Sequence, residues 1–175
     1  MSRRKVQANY VNNKDFYESI KTYLISSKEN PDTKIPNYIG ICIMQICNRL
    51  STKLNFSGYT YRDEMIADAV ENCVQAIKGF NPDKSQNPFA YFTQIAWNAF
   101  LRRIAKEKKE VYIKHKNMQQ YFLFETEIDN DVHIDTKSNK LSDQVIANFE
   151  NKLTKTKKKS NIGLEKFIED TNQND

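Results

Sequence analysis

Apolar residues in this chain recur at intervals of three and four over one segment after another, the spacing that lines one face of an α-helix. Ile39, Ile43, Ile46, Cys47, Leu50 and Leu54 give the plainest example. Four glycines and four prolines in 175 residues are too few for a turn-rich all-β protein. The fold class is therefore all-α, and a compact helical bundle is expected. At 39% hydrophobic residues the chain can build a core, though not a large one.

A first helix follows a cap at Asn13 and carries Phe16, Tyr17, Ile20, Tyr23 and Leu24 on one face. Residues 26–37 read as a loop, and the apolar helix through Ile43 follows. Gly58 sits in a turn at Asn55–Tyr59. Thr60, with Asp63 three residues on, is placed to cap a third helix whose buried stripe is Ile66, Val70, Cys73, Val74 and Ile77. Gly79 and Pro82 end it, and Asn87-Pro88 opens a fourth helix, a cap residue followed by proline at the first helical position. The fourth helix is expected to run to about Lys109 or further. The acidic stretch from Glu125 to Asp135 reads as a linker, and Leu141, Val145, Ile146, Phe149 and Leu153 mark a short amphipathic helix after it.

A net charge of +5 and a pI near 9.0 point mildly to a polyanionic partner. The distribution says more than the sum. Arg102, Arg103, Lys106, Lys108, Lys109, Lys114 and Lys116 form one basic block, and Lys155, Lys157, Lys158 and Lys159 form another. Cys42, Cys47 and Cys73 lack any CxxC pair and sit among apolar residues, as buried free thiols do. The two histidines, His115 and His133, have no ligand-spaced cysteine partners, so neither a metal nor another cofactor is expected. No apolar stretch approaches ~18 residues, and no hydrophobic signal segment follows the basic start, so no membrane association is expected.

On a helical wheel the fourth helix has two faces. Ile95, Ala96, Ala99, Phe100 and Ile104 form the apolar side, while Tyr91, Gln94, Asn98, Arg102, Lys106 and Lys109 form the opposite stripe. The stripe is aromatic and amide-bearing first and cationic later, with Phe89 and Phe92 beside its start. That order suits a junction of unpaired and paired DNA, because bases stack on rings while phosphates of duplex meet Arg and Lys. The third helix exposes Glu64, Asp68, Glu71, Asn72 and Gln75, a mostly acidic surface suited to a protein partner.

Taken in order, Asp63-Glu64-Met65-Ile66-Ala67-Asp68-Ala69, Ile77-Lys78-Gly79-Phe80, Phe89-Ala90-Tyr91-Phe92-Thr93 and Ile95-Ala96-Trp97-Asn98 resemble region 2 of the sigma-70 superfamily. The similarity covers residues 39–110. More narrowly, Tyr10-Val11-Asn12-Asn13-Lys14, Asn55-Phe56-Ser57-Gly58-Tyr59-Thr60, Glu64-Met65-Ile66-Ala67-Asp68, Asn98-Ala99-Phe100 and Lys106-Glu107-Lys108-Lys109-Glu110-Val111 resemble the late-transcription sigma factors of T4-type bacteriophages. That match spans residues 10–111.

The resemblance implies a non-catalytic specificity subunit of RNA polymerase, working in the cytoplasm of an infected bacterium. Its partners would be bacterial core RNA polymerase, promoter DNA, a phage DNA sliding clamp and a late-transcription co-activator. Glu64, Ile66, Asp68 and Asn72 occupy the positions that dock on core polymerase. Phe89, Tyr91, Phe92, Asn98, Arg102 and Arg103, continued by Lys106 and Lys109, occupy those that recognise and open a −10-type element. Many housekeeping sigma factors carry two tryptophans where this chain has Ile95 and Ala96, which leaves Phe92 as the candidate ring for opening the first base pair. No helix-turn-helix pair for a −35 element follows Val111. Leu164, Phe167 and Ile168, apolar at i, i+3 and i+4 beyond a lysine-rich tether, would bind the clamp. The implied organisation is a flexible N-terminus over 1–12, a helical domain over 13–116, a linker with a short helix over 117–160 and a flexible clamp-binding tail over 161–175. The alternative reading is a stand-alone basic DNA-binding regulator.

Overall fold

The computed structural model describes residues 10–30, 32–128 and 140–155, and all regular structure among them is helical. The helices are α1 (Asn13–Glu29), α2 (Asn37–Ser51), α3 (Arg62–Ala76), α4 (Pro88–Ile128) and α5 (residues 140–155), with a 3₁₀ turn at Ile77–Gly79 after α3. The chain divides into two compact units, Met1–Ile104 and Ala105–Asp175, so the division falls within α4. Helix continues past Glu125 to Ile128, where the sequence suggested that a linker had begun.

In the first unit, α2 packs on both α1 and α3. Phe16 and Ile20 from α1, Ile39, Ile43, Ile46 and Cys47 from α2, and Met65 and Cys73 from α3 are sealed from solvent. Phe92, Ala96 and Phe100 bring α4 into the same core. Phe56, in the turn after α2, is equally enclosed and meets Trp97 at 4.8 Å and Phe100 at 5.0 Å, both edge-on. Losing any of these rings to alanine costs about 3–5 kcal/mol, because both transfer energy and a cavity enter the balance.

Four sequence expectations shift. Asn12, not Asn13, caps α1, its side chain accepting from the Lys14 N–H at 3.1 Å. Helix α3 begins after Tyr61 rather than at a Thr60 cap, held by Arg62 Nε donating to the buried Ser51 hydroxyl at 3.0 Å. Its inward stripe is Met65, Ala69, Cys73 and Ile77; Ile66 and Val70 are half-buried and Val74 is exposed. The stripe shares one core with Ala96 and Ala99 of α4, and the helices come close enough for Cys73 Sγ to reach the Phe92 carbonyl at 3.6 Å. Leu54 is 94% exposed, since α2 stops at Ser51 and the following turn no longer keeps its period.

All three cysteines are free and buried. The Cys73 thiol is pushed up by its hydrogen bond with Cys47 and then by burial, which keeps it protonated.

In the second unit, α5 packs antiparallel against the part of α4 from Ala105 onward. Tyr112 stacks on Phe149 at 4.6 Å, Gln119 donates to Asp143 at 2.9 Å, and His115 Nδ1 lies 3.0 Å from Ser142 Oγ. Ile146 is buried as its periodicity suggests. Leu141 and Leu153 are exposed, and Ser142 takes the inward place instead.

Candidate functional site

The start of α4 is held by two asparagines from distant parts of the chain. Asn87 accepts the Ala90 N–H at 3.0 Å, the bond its position before Pro88 predicts. Asn13, freed from capping its own helix, accepts the Phe89 N–H at 3.1 Å and donates to the Gln86 carbonyl at 3.3 Å. The loop before it is tied down by Asn81, whose side chain accepts the Asp83 N–H, and by Tyr17, which donates to the Pro82 carbonyl. The first turn of α4 is thus positioned with few free backbone donors.

The three rings expected to meet bases have different surroundings. Phe89 is half-buried and meets Tyr10 edge-on at 5.7 Å; Arg49 lies over the other ring of that pair, 5.2 Å from its centre. Tyr10, Val11, Asn13, Asn87 and Phe89 line a cavity of about 220 Å³. Burial pushes the Tyr10 phenol up, against the opposing pull of Arg49, so it remains a neutral donor. Tyr91 is also half-buried, its hydroxyl donating to the Ala76 carbonyl at 3.3 Å. Phe92 is a correction: at 0% exposure it is enclosed by Phe16, Phe80 and Tyr91 and serves the core, not an open face.

Along α4 the exposed line Gln94, Asn98 and Arg102 survives in three dimensions, with Gln94 donating to Asn98 at 3.1 Å. Arg102 Nη2 donates to Asn72 Oδ1 at 2.7 Å, and Asn72 in turn donates to the Asp68 carbonyl. Arg103 pairs with the Asp68 carboxylate, Nη2 donating to Oδ1 at 3.2 Å and Nε lying 2.8 Å from Oδ2 as a charge contact without hydrogen-bond geometry. Two surfaces read separately from the sequence therefore meet along one edge. Asn72, Gln75, Ala76, Ile95, Asn98 and Arg102 line an open cavity of about 320 Å³ there. An amide-rich cleft with one guanidinium can donate to and accept from base edges while the cation meets phosphate.

On α3, Asp68 and Asn72 are engaged with α4, whereas Glu64 is exposed and Ile66 packs half-buried against the core. Glu71 accepts from Gln75 at 3.2 Å on the same exposed side. Lys106 and Lys109 belong to the second unit; both are exposed, and Lys106 lies 3.9 Å from Glu110 in an i,i+4 pair. Leu164, Phe167 and Ile168 lie outside the described residues.

Sequence reasoning missed Tyr10, Arg49 and Lys53, which add a second patch of rings and cations. Lys53 Nζ lies 5.9 Å from the Trp97 ring centre, as Arg49 lies over Tyr10. Their four-residue spacing at the end of α2 was the available signal. Among the described residues, no group of three or more His, Cys, Asp or Glu side chains could hold a metal, and no helix is long and apolar enough to cross a membrane. No family model matches this chain, and neither does any curated protein.

Proposed function

We propose that this protein is a sigma-type promoter-specificity factor that binds bacterial core RNA polymerase and directs it to phage late promoters without catalysing a reaction itself. One observation carries the reading: α4 presents half-buried rings at Phe89 and Tyr91, then the exposed line Gln94, Asn98 and Arg102, beside an α3 that exposes Glu64 and Glu71. The rings give unstacked bases a surface worth about 1–3 kcal/mol each, and Arg102 meets the backbone of adjoining duplex. The acidic side of α3, with Glu64 foremost, is the docking surface for polymerase. Arg103 and Asp68 act behind these faces, holding α3 to α4. Lys106 and Lys109 add phosphate contacts. Leu164, Phe167 and Ile168 anchor the complex to a DNA-loaded sliding clamp; such tethering raises local concentration to the order of millimolar and increases promoter occupancy without new base contacts. A late-transcription co-activator completes the assembly.

The test is in vitro transcription with purified bacterial core polymerase on AT-rich −10-type templates, with and without loaded clamp. Transcripts should begin at a defined position only when the protein is added. Alanine at Leu164, Phe167 and Ile168 should abolish stimulation by the clamp and spare basal initiation. Scattered start sites with the protein present, or tight sequence-specific duplex binding without polymerase, would refute the proposal; the second result would favour a stand-alone regulator.

A further inference from the structure

A groove on the first unit shares no residue with the α3–α4 edge. Its floor is aliphatic and aromatic, formed by Leu24 and Ile25 near the end of α1 and by Phe80 and Pro82 from the loop after α3. Its volume is about 510 Å³, enough to take bulky side chains from a partner. Lys21, Lys28 and Lys78 stand on its rim, all exposed. None of the three has an ion-pair or hydrogen-bond partner among the described residues. Asp83 is the one carboxylate on the lining, leaving the groove with an excess of two positive charges.

Ile25 is 54% exposed, so apolar surface is left open on a lining that also carries three lysines. An apolar floor favours a partner with apolar anchors, and the uncompensated lysines favour carboxylates around them. Nucleic acid fits less well. Bases stack on open aromatic faces, whereas the Phe80 ring is buried and already packed against Tyr17, Tyr91 and Phe92. From this we infer that the groove docks an acidic amphipathic peptide segment of a partner protein, its apolar side on Leu24, Ile25 and Pro82 and its carboxylates toward the three lysines.

The probe is a dye-labelled synthetic helix with leucines at i, i+3, i+4 and i+7 and glutamates elsewhere, titrated with the full-length protein by fluorescence anisotropy. Saturable binding that weakens with salt is expected. The triple variant K21E/K28E/K78E should lose at least about tenfold in affinity, because like charges would face the peptide. Ile25→Asp, made separately, should show a comparable loss and keeps the test decisive if the triple variant fails to fold, which its circular dichroism will reveal. Lys140→Glu, in the second unit, should leave binding unchanged. The inference is overturned if the peptide does not saturate, if neither variant weakens it, or if an all-glutamate peptide binds equally well. Displacement of the peptide by single-stranded oligonucleotide at lower concentration than by unlabelled peptide would also overturn it and assign the groove to nucleic acid.

Discussion

Replacing Asp68 with alanine takes from Arg103, whose side chain is 17% exposed, the carboxylate that meets its Nε at 2.8 Å. Exposed ion pairs contribute about 0.2–1 kcal/mol, while truncating one partner of a fully buried pair costs about 3–5 kcal/mol. This pair lies between those limits. Only Nη2 makes a hydrogen bond to the carboxylate, at 3.2 Å, while Nε meets it as a charge contact, and the carboxylate is 36% exposed and keeps some of its water. A loss of about 1–2 kcal/mol follows, and for a unit of this size each kcal/mol lowers the midpoint by roughly 4–8 °C. Trp97 is the only tryptophan and packs on Phe56, so its fluorescence in a urea titration reports the first unit alone. Asp68→Ala, Arg103→Ala and the double variant then form a cycle whose coupling should be about 1 kcal/mol, smaller in high salt. Coupling below about 0.3 kcal/mol would show that the pair holds nothing together. Glu64→Lys serves as contrast: on an exposed position it should move stability by less than about 0.5 kcal/mol, so any effect on polymerase affinity belongs to the contact itself.

Asn13→Ala should cost about 1 kcal/mol by the same Trp97 readout, because it strips a cap from α4 rather than from α1; an unchanged midpoint would remove Asn13 from that role. Phe92→Ala should cost about 3–5 kcal/mol and unfold much of the first unit, whereas Phe89→Ala should weaken promoter opening and leave most of the stability in place. Near-native stability of Phe92→Ala would restore that ring as a candidate contact. The Glu150 carboxyl is held below its ordinary range by hydrogen bonds from Lys116 and then Tyr112. Its contribution to the second unit is therefore present above the ordinary carboxylate range and is lost as pH falls through the depressed value. The Lys116 ammonium and Tyr112 phenol are pushed up by the same contact, so the other limit comes above pH 10 as they lose protons. Helicity lost in acid without a change in Trp97 fluorescence, and with its midpoint shifted in Glu150→Gln, is the expected pattern; an identical midpoint in that variant would discount Glu150.

Periodicity reveals the helical class and the core of α2 because both depend on neighbours a turn apart. It also places the boundary at Asn87-Pro88, where a side-chain acceptor and a residue without an N–H stand side by side. It fails where packing between segments decides. The stripe of α3 is rotated toward Met65, Ala69 and Cys73, and Cys73 reaches the Phe92 carbonyl of α4 while the larger Val74 is left exposed. The same limit explains Phe92: a ring next to a polar stripe looks accessible until Phe16 arrives from α1. The Arg103–Asp68 pair and the Asn13–Phe89 bond join residues 35 and 76 positions apart, separations that local patterns do not encode.

Through the bond from Asn13, the opening turn of α4 in the proposed DNA-reading surface depends on a residue 76 positions earlier in the chain. A version of the protein trimmed from the front to beyond Asn13 would still contain every residue of α4, yet its opening turn would have to find another acceptor or fray. Shorter versions that start at α2 would therefore misjudge how strongly Phe89 and Tyr91 can engage an opened strand.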